Sequence, residues 1–187
     1  MREIVGEITF QARKSPDVSQ SSGVSVRMTI ANYETLVASA LRRALRNGEA
    51  EAVPRISDLA ALQSSMAGKL ELEVAGAERS EEEVIVELVQ RATKVVFDER
   101  IPLEGMASVT EAFERGWKVE VAQAMLAREY LSGLDQIAGL EEAASRLAGG
   151  GSAPRLASAI ELVLEGLHLS NRLNKRARDR GALYARA

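Results

Sequence analysis

One arginine near the start of the chain has the chemistry to bind a phosphate group. Arg27 ends the polar stretch SQSSGVSVR, residues 19–27, and lies where apolar residues at helical spacing begin. A guanidinium stays charged at any working pH and can donate two parallel hydrogen bonds to phosphate oxygens. Arg27 is therefore a candidate phosphate ligand, and the alternative is an exposed arginine near a helix start with no such role.

A metal site is the second chemistry to consider, because Glu165 and His168 have the Glu-x-x-His spacing of helical di-metal proteins. Those sites need two such pairs on facing helices, but His168 is the only histidine and the chain has no cysteine. We therefore interpret His168 as a structural or surface residue and expect no metal ligand set. The acidic run ERSEEEV, residues 78–84, suits the positive end of a helix dipole.

The glycine-rich segments of the chain do not predict nucleotide binding by this chain alone. The sequence contains no G-x-x-x-x-G-K-[ST] phosphate loop, and the glycine-rich AGGGSAPR, residues 148–155, lacks the lysine and is typical of a linker. We expect no catalytic residue, no ATPase activity and at most weak affinity for ATP from the isolated chain.

The composition of the 187-residue chain predicts helices packed on helices. Hydrophobic residues make up 46% of the sequence and aromatic residues only 4%. Alanine, glutamate, leucine and arginine, which favour helices, occur throughout. The expected fold class is all-α.

The net charge of -3 gives no general attraction to nucleic acid or to an anionic membrane surface. No apolar run reaches the roughly 18 residues that a membrane span needs, and the opening MREIVGEITF lacks the pattern of a signal peptide. Without cysteine, a reducing compartment is allowed. We expect a cytoplasmic protein with no nucleic-acid or membrane partner.

The strongest helical pattern follows Arg27. Thr29 is the expected N-cap of a helix that ends near Asn47, with Gly48 as the stop signal. Its apolar stripe consists of Ile30, Tyr33, Leu36, Val37, Ala40, Leu41, Ala44 and Leu45. Its outer face is expected to carry Arg42, Arg43 and Arg46.

Other helices are predicted on both sides. The first is REIVGEITFQAR, residues 2–13, with Ile4, Val5 and Ile8 facing inward. After the helix that ends near Asn47, another helix is predicted to begin near residues 54–57 and to end at Gly68. The segment KLELEV, residues 69–74, is expected to be extended.

In the second half of the chain, two capping boxes predict helix starts, at Ser80 with Glu83 and at Ser108 with Glu111. Residues 117–147 are expected to form two helices broken near residues 132–133. The last helix begins after Ser152 and is expected to become strongly basic at its end.

Two domains are expected, residues 1–75 and residues 76–187. Nothing precedes Met1 that could cap the first helix, so we expect this chain to be part of a longer protein.

The segment SGVSVRMTIANYETLVASALRRALRNGEAEAVPRISDL, residues 22–59, resembles the helical lid of the MoxR and magnesium-chelatase branch of AAA+ ATPases. In that family a Gly-x-Ser-x-Arg segment opens a helix, and a Val-Pro or Thr-Pro motif begins the next one. The later stretches FERGWKVEV, GLEEAASRL and ELVLEGLHLSNRLNK resemble the C-terminal helical region of magnesium-chelatase-like ATPases.

The resemblance implies that Arg27 is the sensor 2 residue, which contacts the nucleotide phosphate when the lid closes. It implies that ATP and Mg²⁺ are bound by an AAA+ core in the full-length protein, because this chain lacks that core. It further implies a ring of identical subunits that couples ATP hydrolysis to remodelling of a partner or to metal insertion. As in the family, the implied partner protein carries a metal-binding adhesion-type domain.

Two alternatives remain open from the residues. One is a freestanding helical module that binds a partner helix through exposed apolar stripes and has no link to nucleotides. The other is nucleic-acid binding by a basic cluster near the C-terminus, opposed by the acidic charge of the whole chain. Its members are Arg172, Lys175, Arg176, Arg178 and Arg180.

Overall fold

The computed structural model describes residues 1–19, 24–73, 79–132, 134–178 and 181–187. Helix α1, Arg2–Lys14, buries Ile4, Val5 and Ile8 completely, which confirms the predicted inner face. The helix begins directly after Met1, which makes no side-chain cap hydrogen bond.

Helix α2, Val26–Asn47, begins earlier than the sequence predicted. Its N-cap is Ser25, whose Oγ accepts a hydrogen bond of 3.1 Å from the backbone N–H of Arg27. The predicted cap at Thr29 is therefore wrong: Thr29 lies inside the helix, where its hydroxyl bonds that of Thr9 on α1 at 2.6 Å. The predicted end is confirmed by Gly48, whose φ of 63° is a left-handed conformation that favours glycine.

A 3-10 turn, Ile56–Ala61, leads into helix α3, Leu62–Met66. Asp58 caps the turn, since its carboxylate accepts a 2.9 Å hydrogen bond from the backbone N–H of Arg55. Beyond α3, Leu72 of the predicted extended stretch forms a single bridge with Val18. Residues 74–78, which include the predicted domain boundary, lie outside the described residues.

Helix α4, Glu81–Arg100, starts with the predicted capping box, because Ser80 and Glu83 each accept a hydrogen bond from the other's backbone N–H. The second predicted capping box is wrong. Ser108 lies inside helix α5, which begins at Ala107 and makes no side-chain cap. The remaining helices are α5 (Ala107–Glu114), α6 (Ala127–Leu131), α7 (Leu140–Ala148) and α8 (Ala153–Leu169), with short 3-10 turns at Leu103–Met106 and Leu134–Gln136.

The all-α prediction is wrong, because the chain also contains an antiparallel sheet of three strands. Its strands are β1 (Val119–Ala122), β2 (Leu173–Arg178) and β3 (Gly181–Arg186), and β3 lies in the middle of the order β1-β3-β2. The predicted basic end of the last helix is strand β2, which starts after the short break that ends α8. Ala182 and Tyr184 alternate as buried residues on β3, so one face of the sheet packs into the protein.

Helix α8 is the centre of the molecule. All residues from Ala159 to Leu167 are buried, including two glutamates. Gly166 is required by close packing, because a Cβ at this position would lie 2.0 Å from Cδ2 of the Phe97 ring on α4. The Phe97 ring therefore packs directly against the backbone of α8 at Gly166, where any larger side chain would collide with the ring.

Residues of both predicted domains belong to one hydrophobic core. Helix α1 packs against α4, and the backbone N–H of Ser57 donates a 2.7 Å hydrogen bond to Glu161 on α8. The division into residues 1–75 and 76–187 stays a prediction. None of the described helices is long and apolar enough to cross a membrane.

Candidate functional site

Arg27, the residue predicted from the sequence, lies in the first turn of α2 and is exposed. Its backbone N–H is bonded to Ser25, but no carboxylate in the described part of the chain forms an ion pair with its guanidinium. The start of a helix carries partial positive charge from unpaired N–H groups, which adds to the attraction of a guanidinium for an anion. The position thus presents an unneutralised cation to solvent.

The predicted apolar stripe of α2 is divided between two faces. Leu36, Ala40 and Ala44 are buried in the core. A second set is exposed along the helix at intervals of three or four residues, so it forms one continuous surface. This set, called the α2 stripe below, consists of Val26, Ile30, Tyr33, Val37, Leu41 and Leu45.

Arg43 was predicted to lie on the outer face of α2, and this prediction is wrong. Arg43 is 4% exposed and donates hydrogen bonds to Asp58 at 2.9 Å, Glu49 at 3.0 Å and the carbonyl of Val53 at 2.6 Å. Arg42 and Arg46 are exposed as expected. Arg43 is buried because it pairs with Asp58, which lies 15 residues later in the sequence. The spacing of residues along a helix gives no information about such a partner.

Arg55 continues this buried ionic cluster toward the second half of the chain. Its guanidinium, which is fully buried, bonds Glu49 at 2.9 Å and the carbonyl of Met125 at 2.7 Å. The plane of the Tyr130 ring lies against the same guanidinium, 4.8 Å from ring centre to Cζ. Two arginines and two carboxylates (Glu49 and Asp58) therefore neutralise one another, which lets all four remain buried.

Two glutamates of α8 form a polar site that the sequence analysis missed. Glu161 is 1% exposed; its carboxylate accepts hydrogen bonds from Ser57 N–H at 2.7 Å, Ser57 Oγ at 3.2 Å and Tyr130 Oη at 2.6 Å. Burial raises the pKa of the Glu161 carboxyl, and the hydrogen bonds from Tyr130 and Ser57 oppose that shift. Burial beside this carboxylate also raises the pKa of the Tyr130 phenol.

Glu165 follows one helical turn later and is 4% exposed. Its Oε2 atom accepts hydrogen bonds from Lys175 Nζ at 2.8 Å and from the phenol of Tyr184. Burial, followed by the charge of Glu165, raises the pKa of the Tyr184 phenol, so this tyrosine stays a hydrogen-bond donor. The sequence signal was available, because AIELVLEGL places two acids four residues apart in an otherwise apolar helix.

Both glutamates line a pocket of about 830 Å³. Its walls come from α4, the 3-10 turn Ile56–Ala61 and strand β3, and Lys175 on β2 also contributes. A volume in this range suits a small ligand. Arg27 is not among the residues that line the pocket, so the predicted site and this pocket are separate.

His168 has a structural environment. Its Nδ1 lies 3.0 Å from the carbonyl oxygen of Leu173, and its ring packs edge-on against Tyr184. In the described ranges, no group of three or more histidine, cysteine, aspartate or glutamate side chains is arranged to hold a metal ion.

The described members of the basic cluster near the C-terminus lie on or just before β2 and are all exposed. Lys175 is paired with Glu165. Arg180 lies outside the described residues. Lys175 and Arg176 are consecutive residues of β2 and point to opposite faces of the strand, whereas Arg176 and Arg178 share a face.

No family model matches the chain, and neither the curated proteins nor the solved structures contain a significant match.

Proposed function

We propose that this chain is the nucleotide-sensing lid and C-terminal helical region of a magnesium-chelatase-like AAA+ ATPase, with Arg27 as the sensor 2 residue. The observation that carries the proposal is the exposed Arg27 guanidinium in the capped first turn of a 22-residue helix, without an ion-pair partner in the described residues. The resemblance of residues 22–59 to the lid of that family supports the same assignment.

In this proposal ATP and Mg²⁺ are held by an AAA+ core in the same polypeptide. Arg27 donates hydrogen bonds to the terminal phosphate of ATP, and the loss of that phosphate on hydrolysis releases the contact. The α2 stripe begins at Val26, beside Arg27, and offers an apolar surface for the body that binds the nucleotide.

The proposed assembly is a ring of identical subunits in the cytoplasm that uses ATP hydrolysis to remodel a partner protein or insert a metal. The partner carries a metal-binding adhesion-type domain, as in the family that the sequence resembles.

The simplest experiment is to read the DNA upstream of the Met1 codon. The proposal expects an in-frame segment that encodes a G-x-x-x-x-G-K-[ST] phosphate loop. An upstream stop codon with no such segment would remove the nucleotide-binding core from the proposal.

The second candidate function is a freestanding module that binds a partner helix, and the α2 stripe favours it. Tyr33 is 46% exposed and Leu45 is 73% exposed, which is unusual for large apolar side chains on one helix face. An amphipathic helix could bury this stripe by the same spacing of three and four residues. The two candidates differ in one measurable respect, because only the lid requires Arg27 and ATP.

A further inference from the structure

Strand β2 lies at an edge of the three-stranded sheet. It pairs with β3 on one side, with Arg178 opposite Gly181, and no described strand lies on its other side. In an antiparallel pair, every second residue directs its backbone N–H and C=O groups away from the partner strand. Because only two residues connect Arg178 to Gly181, these two form a hydrogen-bonded pair. Lys175 and Ala177 therefore direct their backbone groups to the outer edge.

These outward backbone groups are available for pairing. Leu173 belongs to the same alternating set, and its carbonyl accepts a 3.0 Å hydrogen bond from His168 Nδ1. Among the described residues, none bonds the outward N–H and C=O groups of Lys175 and Ala177. An edge strand with such groups is a template on which another strand can pair.

The two edges of the sheet differ in how they are covered. On β1, the hydroxyl of Tyr130 on α6 accepts a 3.2 Å hydrogen bond from the backbone N–H of Ala122. On β2, every residue from Asn174 to Arg178 is exposed. The edge of β2 is therefore the one that is open to solvent.

The side chains beside this edge favour an acidic partner. Lys175 lies opposite the buried Tyr184, so Arg176 and Arg178 point to the other face, which is turned to solvent. No carboxylate in the described ranges forms an ion pair with either arginine. Acidic side chains at alternate positions of an added strand would lie opposite both, and opposite charges across paired strands are stabilising.

Two other occupants fit this edge less well. A second copy of β2 would bring like charges opposite each other, which is destabilising. The phosphates of a DNA strand accept hydrogen bonds and donate none, so the outward carbonyls would stay unpaired. The net charge of -3 opposes any anion, but salt screens charges beyond about 8 Å, so the arginines at the edge decide.

We propose that the open edge of β2 binds an extended acidic segment of a partner protein as a fourth strand. The segment pairs with the backbone N–H and C=O groups of Lys175 and Ala177. Two of its acidic side chains, at alternate positions, face Arg176 and Arg178. The proposal goes beyond the lid function and does not depend on it, because Arg27 lies on α2 and not in the sheet.

The experiment titrates the peptide acetyl-Thr-Glu-Val-Glu-Thr-amide into the isotope-labelled 187-residue chain at pH 7. Backbone amide NMR signals and their exchange with water are followed. At saturation we expect shifts along β2 and exchange at Lys175 and Ala177 at least about fivefold slower, because their N–H groups gain acceptors. The amides of Asn174 and Arg176, already paired with β3, should keep their rates. Shifts without slower exchange at Lys175 and Ala177, or no shifts in β2, would overturn the proposal.

Three probes compare the chemistry of the occupant. The neutral peptide acetyl-Thr-Gln-Val-Gln-Thr-amide should bind about fivefold more weakly than the acidic peptide, as expected for the loss of two exposed ion pairs. A short oligothymidylate should also bind more weakly than the acidic peptide. Equal affinity for the two peptides, or tighter binding of the oligonucleotide, would refute the acidic strand as the occupant.

Paired substitutions locate the charges. Arg176→Gln combined with Arg178→Gln should weaken binding of the acidic peptide about fivefold and leave binding of the neutral peptide unchanged. Arg2→Gln combined with Arg42→Gln is the matched control, since both arginines are exposed, lie on α1 and α2, and change the net charge equally. This control should bind as the wild type does. An equal loss in both double variants would contradict the site.

Ala177→Pro tests the backbone pairing. It removes an outward N–H and places a ring at the open edge, so it should abolish binding of both peptides. Proline is tolerated in edge strands where the N–H faces solvent, so we expect the variant to fold. If it does not fold, an acidic peptide N-methylated at its central valine takes its place and should not bind the wild type. Undiminished binding by a folded Ala177→Pro variant, or by the methylated peptide, would refute the strand pairing.

Discussion

Tyr130 donates a 2.6 Å hydrogen bond to Glu161 although 31 residues separate them, and both groups are buried. The bond joins the short helix α6 to the central helix α8. Because Ser57 donates to the same carboxylate, three separate parts of the chain meet at Glu161. This carboxyl should therefore influence stability in a way that depends on pH.

Glu161→Gln should change how the free energy of unfolding varies with pH. Burial raises the pKa of Glu161 in the folded state, so the folded protein binds this proton more tightly than the unfolded chain does. This tighter proton binding stabilises the folded state fully at pH values below the ordinary pKa of 4.5. The stabilisation is lost as the pH rises through the higher pKa that Glu161 has in the folded state. Between these two pKa values, the free energy of unfolding of the wild type should fall by up to about 1.4 kcal/mol per pH unit relative to that of the variant.

Urea unfolding at a series of pH values, for the wild type, Glu161→Gln and the exposed control Glu82→Gln, measures this difference. Parallel wild-type and Glu161→Gln curves across the whole series would show that Glu161 has no raised pKa.

Neighbouring arginines on α2 should differ sharply in their effect on stability. Arg43→Ala leaves Asp58 buried without its arginine and removes one of the two arginines that pair with Glu49, which should cost about 3 kcal/mol. Arg42→Ala removes an exposed side chain and should change the free energy of unfolding by less than about 0.5 kcal/mol. Denaturant melts of both variants test the prediction, and similar values for the two would mean that the buried cluster does not form.

Two glycine-to-alanine substitutions should change the free energy of unfolding in opposite directions. Gly166→Ala places a methyl group against the Phe97 ring and should destabilise the protein by about 1–3 kcal/mol. Gly6→Ala adds a methyl group inside α1 where nothing lies within 4 Å, and should stabilise it by about 0.5–1 kcal/mol. Thermal unfolding of both variants measures the signs, and a Gly166→Ala variant as stable as the wild type would contradict the packing of α8 on Phe97.

The sequence predicted those elements whose signals are local. Helix α1 follows from apolar spacing, and the start of α4 follows from Ser80 and Glu83, which contact each other directly. The hairpin was missed because its first strand is rich in arginine and lysine, which also favour helices, and only pairing with β3 makes it extended.

The candidate site residues also separate into those with local signals and those that depend on distant contacts. Arg27 was chosen from its position near the start of a helix, and its exposure depends on no distant residue; its role stays a prediction. The burial of Arg43 depends on Asp58, and the environment of Glu165 depends on Tyr184 in strand β3. Such contacts between distant residues arise only from the tertiary fold, so neither pair could be predicted from spacing.

The central claim is that Arg27 contacts the nucleotide, and it is tested in the polypeptide that joins the proposed AAA+ core to this chain. Arg27→Ala should leave the free energy of unfolding within about 0.5 kcal/mol of the wild type, because the side chain is exposed. Arg27→Lys should restore activity only in part, since lysine keeps the charge and loses the paired donors. Arg42→Ala is the matched control, because Arg42 lies about 22 Å further along α2.

The decisive measurement is ATP binding and hydrolysis by the wild type, Arg27→Ala and Arg42→Ala, side by side. The account predicts that Arg27→Ala alone lowers nucleotide affinity or turnover about 10- to 150-fold, the loss expected for one charge-assisted hydrogen bond. Equal affinity and turnover for all three proteins would contradict the role of Arg27 in nucleotide sensing.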